Sequence, residues 1–186
     1  MSNYRDQFKQ NTFYHITNKS LNSVDIFKEK EDYEKFIEYI INNLVEYQTI
    51  AISAYCILPN HFHFVFRNNK TWHQISEFMR KIQVSYAMYF KKKYKNMWTM
   101  KWLPVFAWRF KARIIQSDEE LRQIESYVNF DAINHKVAYS ISDRPYTSLH
   151  QLIETWLTEN TKIIKILWWS NIVMDHMWIK FEWLEA

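Results

Sequence analysis

Leu58-Pro59-Asn60-His61-Phe62-His63-Phe64-Val65-Phe66 joins a Pro-Asn turn to a run in which imidazole and aromatic side chains alternate. Successive side chains of a strand point to opposite faces, so His61 and His63 share one face while Phe62, Phe64 and Phe66 share the other. The three phenylalanines predict a buried face. Two imidazoles side by side on the reverse face suit the binding of one divalent cation, the commonest shared task for such a pair. Taken alone, His-x-His reads equally well as two polar side chains at a sheet rim.

Working outward, Thr49 to Leu58 is an apolar segment a short link away, which predicts an antiparallel hairpin around Pro59-Asn60. Phe13 to Thr17 alternates and reads as a first strand. Between them, Glu31 to Tyr47 carries Tyr33, Phe36, Ile37, Ile40, Ile41, Leu44 and Val45 at helical spacing, with Glu31, Asp32 and Glu34 in the first turn. Thr71 to Lys93 is a second amphipathic helix, ending in the cations Lys91, Lys92 and Lys93. Arg109 to Ile115 reads as a fourth strand. The order β-α-β-β-α-β predicts an α+β fold of the ferredoxin-like kind, an antiparallel sheet with helices on one face.

A third helix is expected from Ser117, where Ser117 and Glu120 have capping-box spacing. It runs through Leu121, Ile124, Tyr127, Val128 and Asp131, and Tyr127 and Asp131, four apart, fall on one face. Beyond Pro145, helical segments are expected near Ser148 to Leu157 and Ile163 to Met177. This divides the chain into a domain over residues 1–145 and a helical tail over 146–186.

The chain has 186 residues, 48% of them hydrophobic, enough for a packed core. A single cysteine excludes a disulfide framework and makes Cys56 a core residue of a reducing compartment. The polar start, Met1 to Gln10, lacks the apolar segment of a secretory signal, and no apolar run is long enough to span a membrane. A cytoplasmic location is expected.

The net charge of +4 is unevenly distributed. Ten Lys and Arg residues (Arg80, Lys81, Lys91, Lys92, Lys93, Lys95, Lys101, Arg109, Lys111 and Arg113) fall between positions 80 and 113 with no acidic residue among them. Tyr86, Tyr89, Phe90, Tyr94, Trp98, Trp102, Phe106, Trp108 and Phe110 interleave with them. A solvated basic face explains the cations alone. Cations mixed with rings suit single-stranded nucleic acid, whose phosphates need charge and whose unpaired bases stack. Glycine is absent, where average usage predicts roughly 13. Nine tryptophans, several in turn-like places, raise the hypothesis that UGA codons encode glycine in the source. UGG codons at Trp72, Trp98, Trp108 and Trp178 would exclude it in favour of compositional drift.

Four motifs occur in order: Leu58-Pro59-Asn60-His61-Phe62-His63; Ser85-Tyr86-x-x-Tyr89-Phe90-x-Lys92-Lys93-Tyr94; Phe106-x-x-Arg109-Phe110-Lys111; and Tyr127-Val128-x-x-Asp131. Over about Tyr14 to Thr147 the chain resembles the single-tyrosine HUH transposases, above all the REP-associated tyrosine transposases related to the smallest insertion-sequence transposases. The resemblance implies a ferredoxin-like enzyme that cuts and rejoins single-stranded DNA beside a short DNA hairpin. It makes His61 and His63 paired metal ligands, Tyr127 the nucleophile, and Asp131 the third ligand, where relatives carry Gln or Asn. Ala132 and Trp108 also depart from the relatives' usual Pro and small residue. The implied metal is Mg²⁺ or Mn²⁺. The expected DNA contacts are Arg80, Lys91, Lys92, Lys93, Lys95, Arg109, Lys111 and Arg113. The implied assembly is either a monomer or a homodimer that exchanges the tyrosine helix.

A tyrosine hydroxyl is a poor nucleophile near neutrality because its reference pKa is about 10. A cation on His61, His63 and Asp131 can neutralise the scissile phosphate and orient it for in-line attack. Two other readings remain at this level: a replication or conjugation initiator with the same chemistry, and a domesticated hairpin-binding protein whose catalysis has lapsed. Without the resemblance, Tyr127 reads as a core aromatic; His15, on the first strand, has two readings, a residue that reaches the site and, the simpler one, a satisfied core histidine. His73, His135, His150 and His176 are scattered, with nothing to promote any of them.

Overall fold

A computed structural model describes residues 11–68, 73–95, 103–135 and 146–148. The strands are β1 (Thr12–Lys19), β2 (Ile50–Leu58), β3 (His61–Asn68) and β4 (Lys111–Ile115), and the helices are α1 (Lys30–Glu46), α2 (His73–Lys93) and α3 (Asp118–Asn134). The strands form one antiparallel sheet in the order β2-β3-β1-β4. This is the expected ferredoxin-like α+β topology, with β1 two residues longer at its C-terminal end than the alternation predicted and β4 starting at Lys111 rather than Arg109. The tail helices expected past Ser148 lie outside the described residues.

Period-two alternation divides the sheet into two faces. Tyr14 and Ile16 of β1 and Phe62, Phe64 and Phe66 of β3 face α1 and α2 and form the larger core with Phe36, Ile40, Phe78, Ile82, Tyr86 and Phe90. The third helix covers the reverse face, where Leu121, Ile124, Val128 and Ala132 pack on Ala54, Cys56, Leu58, Val65 and Ile115. Helices therefore occupy one face only within the β-α-β-β-α-β unit, and α3 closes the other.

A bulge in β2 makes the reverse face fit. The pairing with β3 shifts between Ile52 and Ala54. Ile50 and Ile52 face the larger core before the shift, and Tyr55 and Ile57 after it. The extra residue flips the alternation, so the small side chains of Ala54 and Cys56 lie beneath α3. The β2 edge is covered by residues 146–148, where the Tyr146 carbonyl accepts from Ile57 N (3.0 Å) and Thr147 bridges to Cys56.

Ser117 caps α3, its Oγ accepting from Glu120 N at 3.1 Å. The Glu120 carboxylate accepts from Gln116 N at 2.7 Å, one residue earlier than a capping box requires, and pairs with Arg113. Among the described residues the left-handed positions are held by Asn11, Asn22 and Ser23; asparagine tolerates that conformation best after glycine. Trp108 is 84% exposed and has no positive φ, so the backbone there does not itself require glycine.

The α1–α2 pair is joined through Asp32, which is fully buried. Its carboxylate accepts from Lys28 N (2.9 Å), Glu29 N (3.1 Å), Tyr89 Oη (2.9 Å), Tyr94 Oη (2.7 Å) and Lys93 Nζ (2.9 Å). Burial works against its charge, but Lys93, Tyr94, the Lys28 amide and Tyr89 outweigh it and hold the carboxyl below the usual carboxylate range. Lys93, which also meets Glu29 and Glu31, is thus turned to α1. Replacing Asp32 with Ala should destabilise the fold by about 2–4 kcal/mol, read as a lower urea midpoint. Because the folded pKa is depressed, the Asp32 contribution is present above about pH 4, the unfolded value, and is lost as pH falls further. Asp32→Asn should therefore start less stable and lose less than the parent between pH 4 and pH 2.

Candidate active site

His61 and His63 project from β3 on the α3 side of the sheet, in phase with Val65, while the intervening phenylalanines enter the larger core. Helix α3 crosses above them with Tyr127, Asp131 and His135 one turn apart on its lower face. Asp131 is fully buried. Its Oδ2 lies 3.7 Å from His61 Nε2 and 3.5 Å from His63 Nε2, and its Oδ1 lies 3.5 Å from His135 Nε2. The Tyr127 ring stands edge-on to His63, with centroids 5.7 Å apart. His61, His63, Tyr127 and Asp131, distant in sequence, are brought together within one chain.

Two neighbours orient the imidazoles. Asn60 Oδ1 is 2.6 Å from His61 Nδ1, and an amide oxygen accepts, so in the neutral ring the proton sits on Nδ1 and the Nε2 lone pair faces Asp131. His15 Nε2 is 3.0 Å from His63 Nδ1. The two residues are diagonal on one sheet face, since His15 pairs with Val65 and His63 with Thr17. With the proton on His63 Nδ1, His63 Nε2 also faces Asp131 as a lone pair. Such an outer hydrogen bond is how metal-ligating histidines are usually held.

The electrostatics agree with this arrangement. Burial, reinforced by His15, His61 and His135, lowers the pKa of His63 to about 4 despite the opposing charge of Asp131. Burial and Arg113, its partner across β1–β4, lower that of His15. Burial opposes the charge of Asp131, yet His61, His63 and Tyr127 hold its pKa below the ordinary carboxylate value. Tyr127 is pushed up to about 12, by burial first and by the Asp131 carboxylate second.

Among the described residues neither buried oxygen of Asp131 makes a well-formed hydrogen bond: the imidazole nitrogens reach them only at 3.5–3.7 Å, although His61 and Tyr127 both stabilise the charge. A buried carboxylate left this way is costly unless a cation meets it. Gaps of 3.5–3.7 Å to imidazole nitrogens are long for hydrogen bonds and near those of ligands sharing an ion about 2.1 Å from each. His61, Asp131 and His135 offer ligand atoms that all lie within 4.8 Å of one another. The donor set fits a divalent metal.

Sequence reasoning placed His61, His63, Tyr127 and Asp131 in one site and passed over His15, His135 and Asn60. His135 continues the Tyr127–Asp131 spacing by one more turn; strand register, which brings His15 in, is not visible in sequence. Of the expected DNA contacts, Arg80, Lys92, Lys95, Arg109, Lys111 and Arg113 are exposed, Lys91 is partly so, and Lys93 is engaged by α1. Lys111 and Arg113 alternate onto the face of His15 and Thr17, beside the imidazoles, and Lys19 joins them from β1.

A model of a known family, described as "Transposase IS200 like", matches residues 8–130. The chain belongs to this transposase family. No curated protein matches it. Among solved structures, the REP-associated tyrosine transposase bound to a REP hairpin is 18% identical, with a TM-score of 0.64, covering 81% of this chain and 84% of that one. It bears out the fold. A putative transposase from Deinococcus radiodurans R1 is 14% identical at a TM-score of 0.44, covering 69% of this chain and 95% of that one. The tRNA(His) guanylyltransferase of Saccharomyces cerevisiae is 11% identical at 0.44, covering 69% and 61%. Neither of these last two carries an argument. No described helix is long and apolar enough to cross a membrane.

In the metal-free protein His63 is neutral when folded down to about pH 4, whereas an unfolded histidine takes its proton near pH 6.5. The unfolded chain binds the extra proton between these values, so stability should fall as pH is lowered from about 6.5 to 4. Urea midpoints across that window, measured with chelator present, should show the slope, and His63→Gln should flatten it.

Proposed function

We propose that this transposase-family chain is a metal-dependent endonuclease and strand transferase for single-stranded DNA, acting beside a DNA hairpin through a phosphotyrosine on Tyr127. The observation that carries the reading is the meeting of Tyr127, His61, His63 and the buried Asp131 carboxylate between one strand and one helix of the same chain. A fully buried structural tyrosine would pack its ring into the core. Tyr127 is instead 45% exposed at the mouth of the cluster.

His61, His63 and Asp131 would hold the divalent ion, Mg²⁺ or Mn²⁺, which when bound would supply positive charge to the scissile phosphate. The Tyr127 hydroxyl attacks phosphorus, the P–O3′ bond breaks, the phenol proton leaves to solvent and the 3′ oxygen takes one up. The products are a phosphotyrosine and a free 3′-hydroxyl. The covalent bond conserves the energy of the cut strand, so a second strand end can be joined without ATP. With a pKa near 12 the phenol is almost wholly protonated at neutrality, and attack depends on local positive charge that offsets Asp131.

Lys19, Lys111 and Arg113, the last paired with Glu120, lie beside the imidazoles on the α3 side of the sheet and suit the phosphates that flank the cleaved bond. Arg80, Lys91, Lys92, Lys95 and Arg109 extend the cationic surface. The hairpin preference rests on the likeness to a transposase solved with a REP hairpin. The packing of α3 on the sheet of the same chain supports a reading in which Tyr127 acts with its own chain's histidines rather than through a helix exchanged between two copies of a homodimer.

Incubation of the protein with hairpin-bearing single strands and Mn²⁺ or Mg²⁺ should give a covalent adduct that survives denaturation. Tyr127→Phe should abolish the adduct while DNA binding by mobility shift changes less than about twofold, since only one hydroxyl is removed. A parent protein that shifts hairpin DNA but never attaches to it would leave the lapsed, hairpin-binding reading instead. Asp131→Asn, which installs an amide like that of the relatives, should keep measurable adduct formation, whereas Asp131→Ala should lose it. Mixing Tyr127→Phe with His63→Ala protein should restore nothing; recovered adduct would show that the tyrosine acts on a partner's histidines.

A further inference from the structure

The imidazole of His135 has no place in the chemistry just described. It stands at the C-terminal end of α3, where its backbone N–H bonds to the Asp131 carbonyl at 2.9 Å. Its ring lies edge-on to His61, with centroids 5.1 Å apart, and its Nε2 is 3.5 Å from Asp131 Oδ1. The two oxygens of Asp131 are thus divided: Oδ2 faces the histidines of β3 and Oδ1 faces His135. Both are buried, and neither makes a well-formed hydrogen bond among the described residues. The family match ends at residue 130, so it assigns a role to neither Asp131 nor His135.

We propose that His135 is a fourth ligand, making a site of His61, His63, His135 and Asp131 that selects a transition-metal dication such as Mn²⁺ or Co²⁺ over Mg²⁺. This rests on the metal reading of the site given above. A protonated His135 that merely pairs with Asp131 at the helix end is the competing account. It uses the same 3.5 Å approach to Oδ1 but gives no part to His61, whose ligand atom lies with those of Asp131 and His135 within 4.8 Å of one another. A shared cation accounts for all three, with His63 reaching it from beside the same carboxylate at 3.5 Å from Oδ2. Three neutral imidazoles and one carboxylate form a nitrogen-rich set, which suits first-row transition metals, whereas Mg²⁺ demands oxygen donors and keeps much of its water. The side chain of His135 is 51% exposed, so it can settle onto the ion without repacking the core, and its removal leaves the smaller core under α3 intact.

The test measures ion binding, apart from DNA cleavage. Metal-free full-length protein is titrated with Mn²⁺, Co²⁺ and Mg²⁺ by calorimetry, and Co²⁺-loaded protein is examined by NMR. The expected result is Mn²⁺ and Co²⁺ binding at least tenfold tighter than Mg²⁺, with the His61, His63 and His135 ring resonances displaced far outside the diamagnetic range. His135→Ala should weaken Mn²⁺ about tenfold or more and leave Mg²⁺ within about threefold, while the urea midpoint of the metal-free protein stays unchanged. Unaltered Mn²⁺ affinity in His135→Ala, with binding still abolished by His61→Ala, would overturn the role of His135 and leave the proposed function standing. An undisplaced His135 resonance in the Co²⁺ protein would overturn it as well, without recourse to any variant. Failure of the parent protein to bind any of the three ions would remove the metal reading itself.

Discussion

A fully buried carboxylate ringed by three imidazoles is the constraint around which the reverse face of this sheet is arranged. Asp131 is placed by the packing of α3, whose apolar positions Leu121, Ile124, Val128 and Ala132 seat the helix on β2, β3 and β4. That packing depends on the bulge in β2, because only the flipped alternation puts Ala54 and Cys56, rather than Tyr55 and Ile57, under the helix. Larger side chains there would lift α3 and open the short gaps between Asp131 and the imidazoles. The geometry of the candidate site is therefore a consequence of small residues on the neighbouring strand, where Cys56 pairs directly with His63.

Much of the fold was legible because its elements have strong periodicity. The alternation of His61 to Phe66 set both the strand and its two faces, and the helical spacing of α1 and α2 admitted one topology. What was not legible depended on contacts between distant segments. Ser117 and Glu120 have the spacing of a capping box, but Glu120 is drawn toward Arg113 and reaches Gln116 instead. Lys93 ends a run of three lysines and looks like one more surface cation until Asp32, sixty-one residues earlier, is seen to take it. The phase shift in β2 leaves no trace in composition, and with it the position of α3 was hidden.

The site divides in the same way. His61 and His63 are adjacent by strand geometry, and Tyr127 and Asp131 by helix geometry, so each pair could be found within its own segment. His15 enters through sheet register, which a single sequence does not reveal. His135 extends a helical spacing that was visible, but a lone histidine past the end of a motif carries little weight until something is seen to face it. Asp131 supplies that something, with one oxygen turned toward each group of ligands.

The energetic logic of Tyr127 follows from the same carboxylate. Half-exposed at the edge of the cluster, the phenol could have kept an ordinary pKa; instead burial of its inner edge and the charge of Asp131 raise it to about 12. A raised pKa makes the hydroxyl inert toward water and stray electrophiles, since the phenolate is vanishingly rare at neutrality. It also makes the conjugate phenolate strongly nucleophilic once formed. On the proposed reading a cation held there would offset the charge that suppresses ionisation, which would couple the reactivity of the phenol to occupancy of the site. On that reading the carboxylate that would hold the cation is also the one that keeps the phenol protonated while the site is empty.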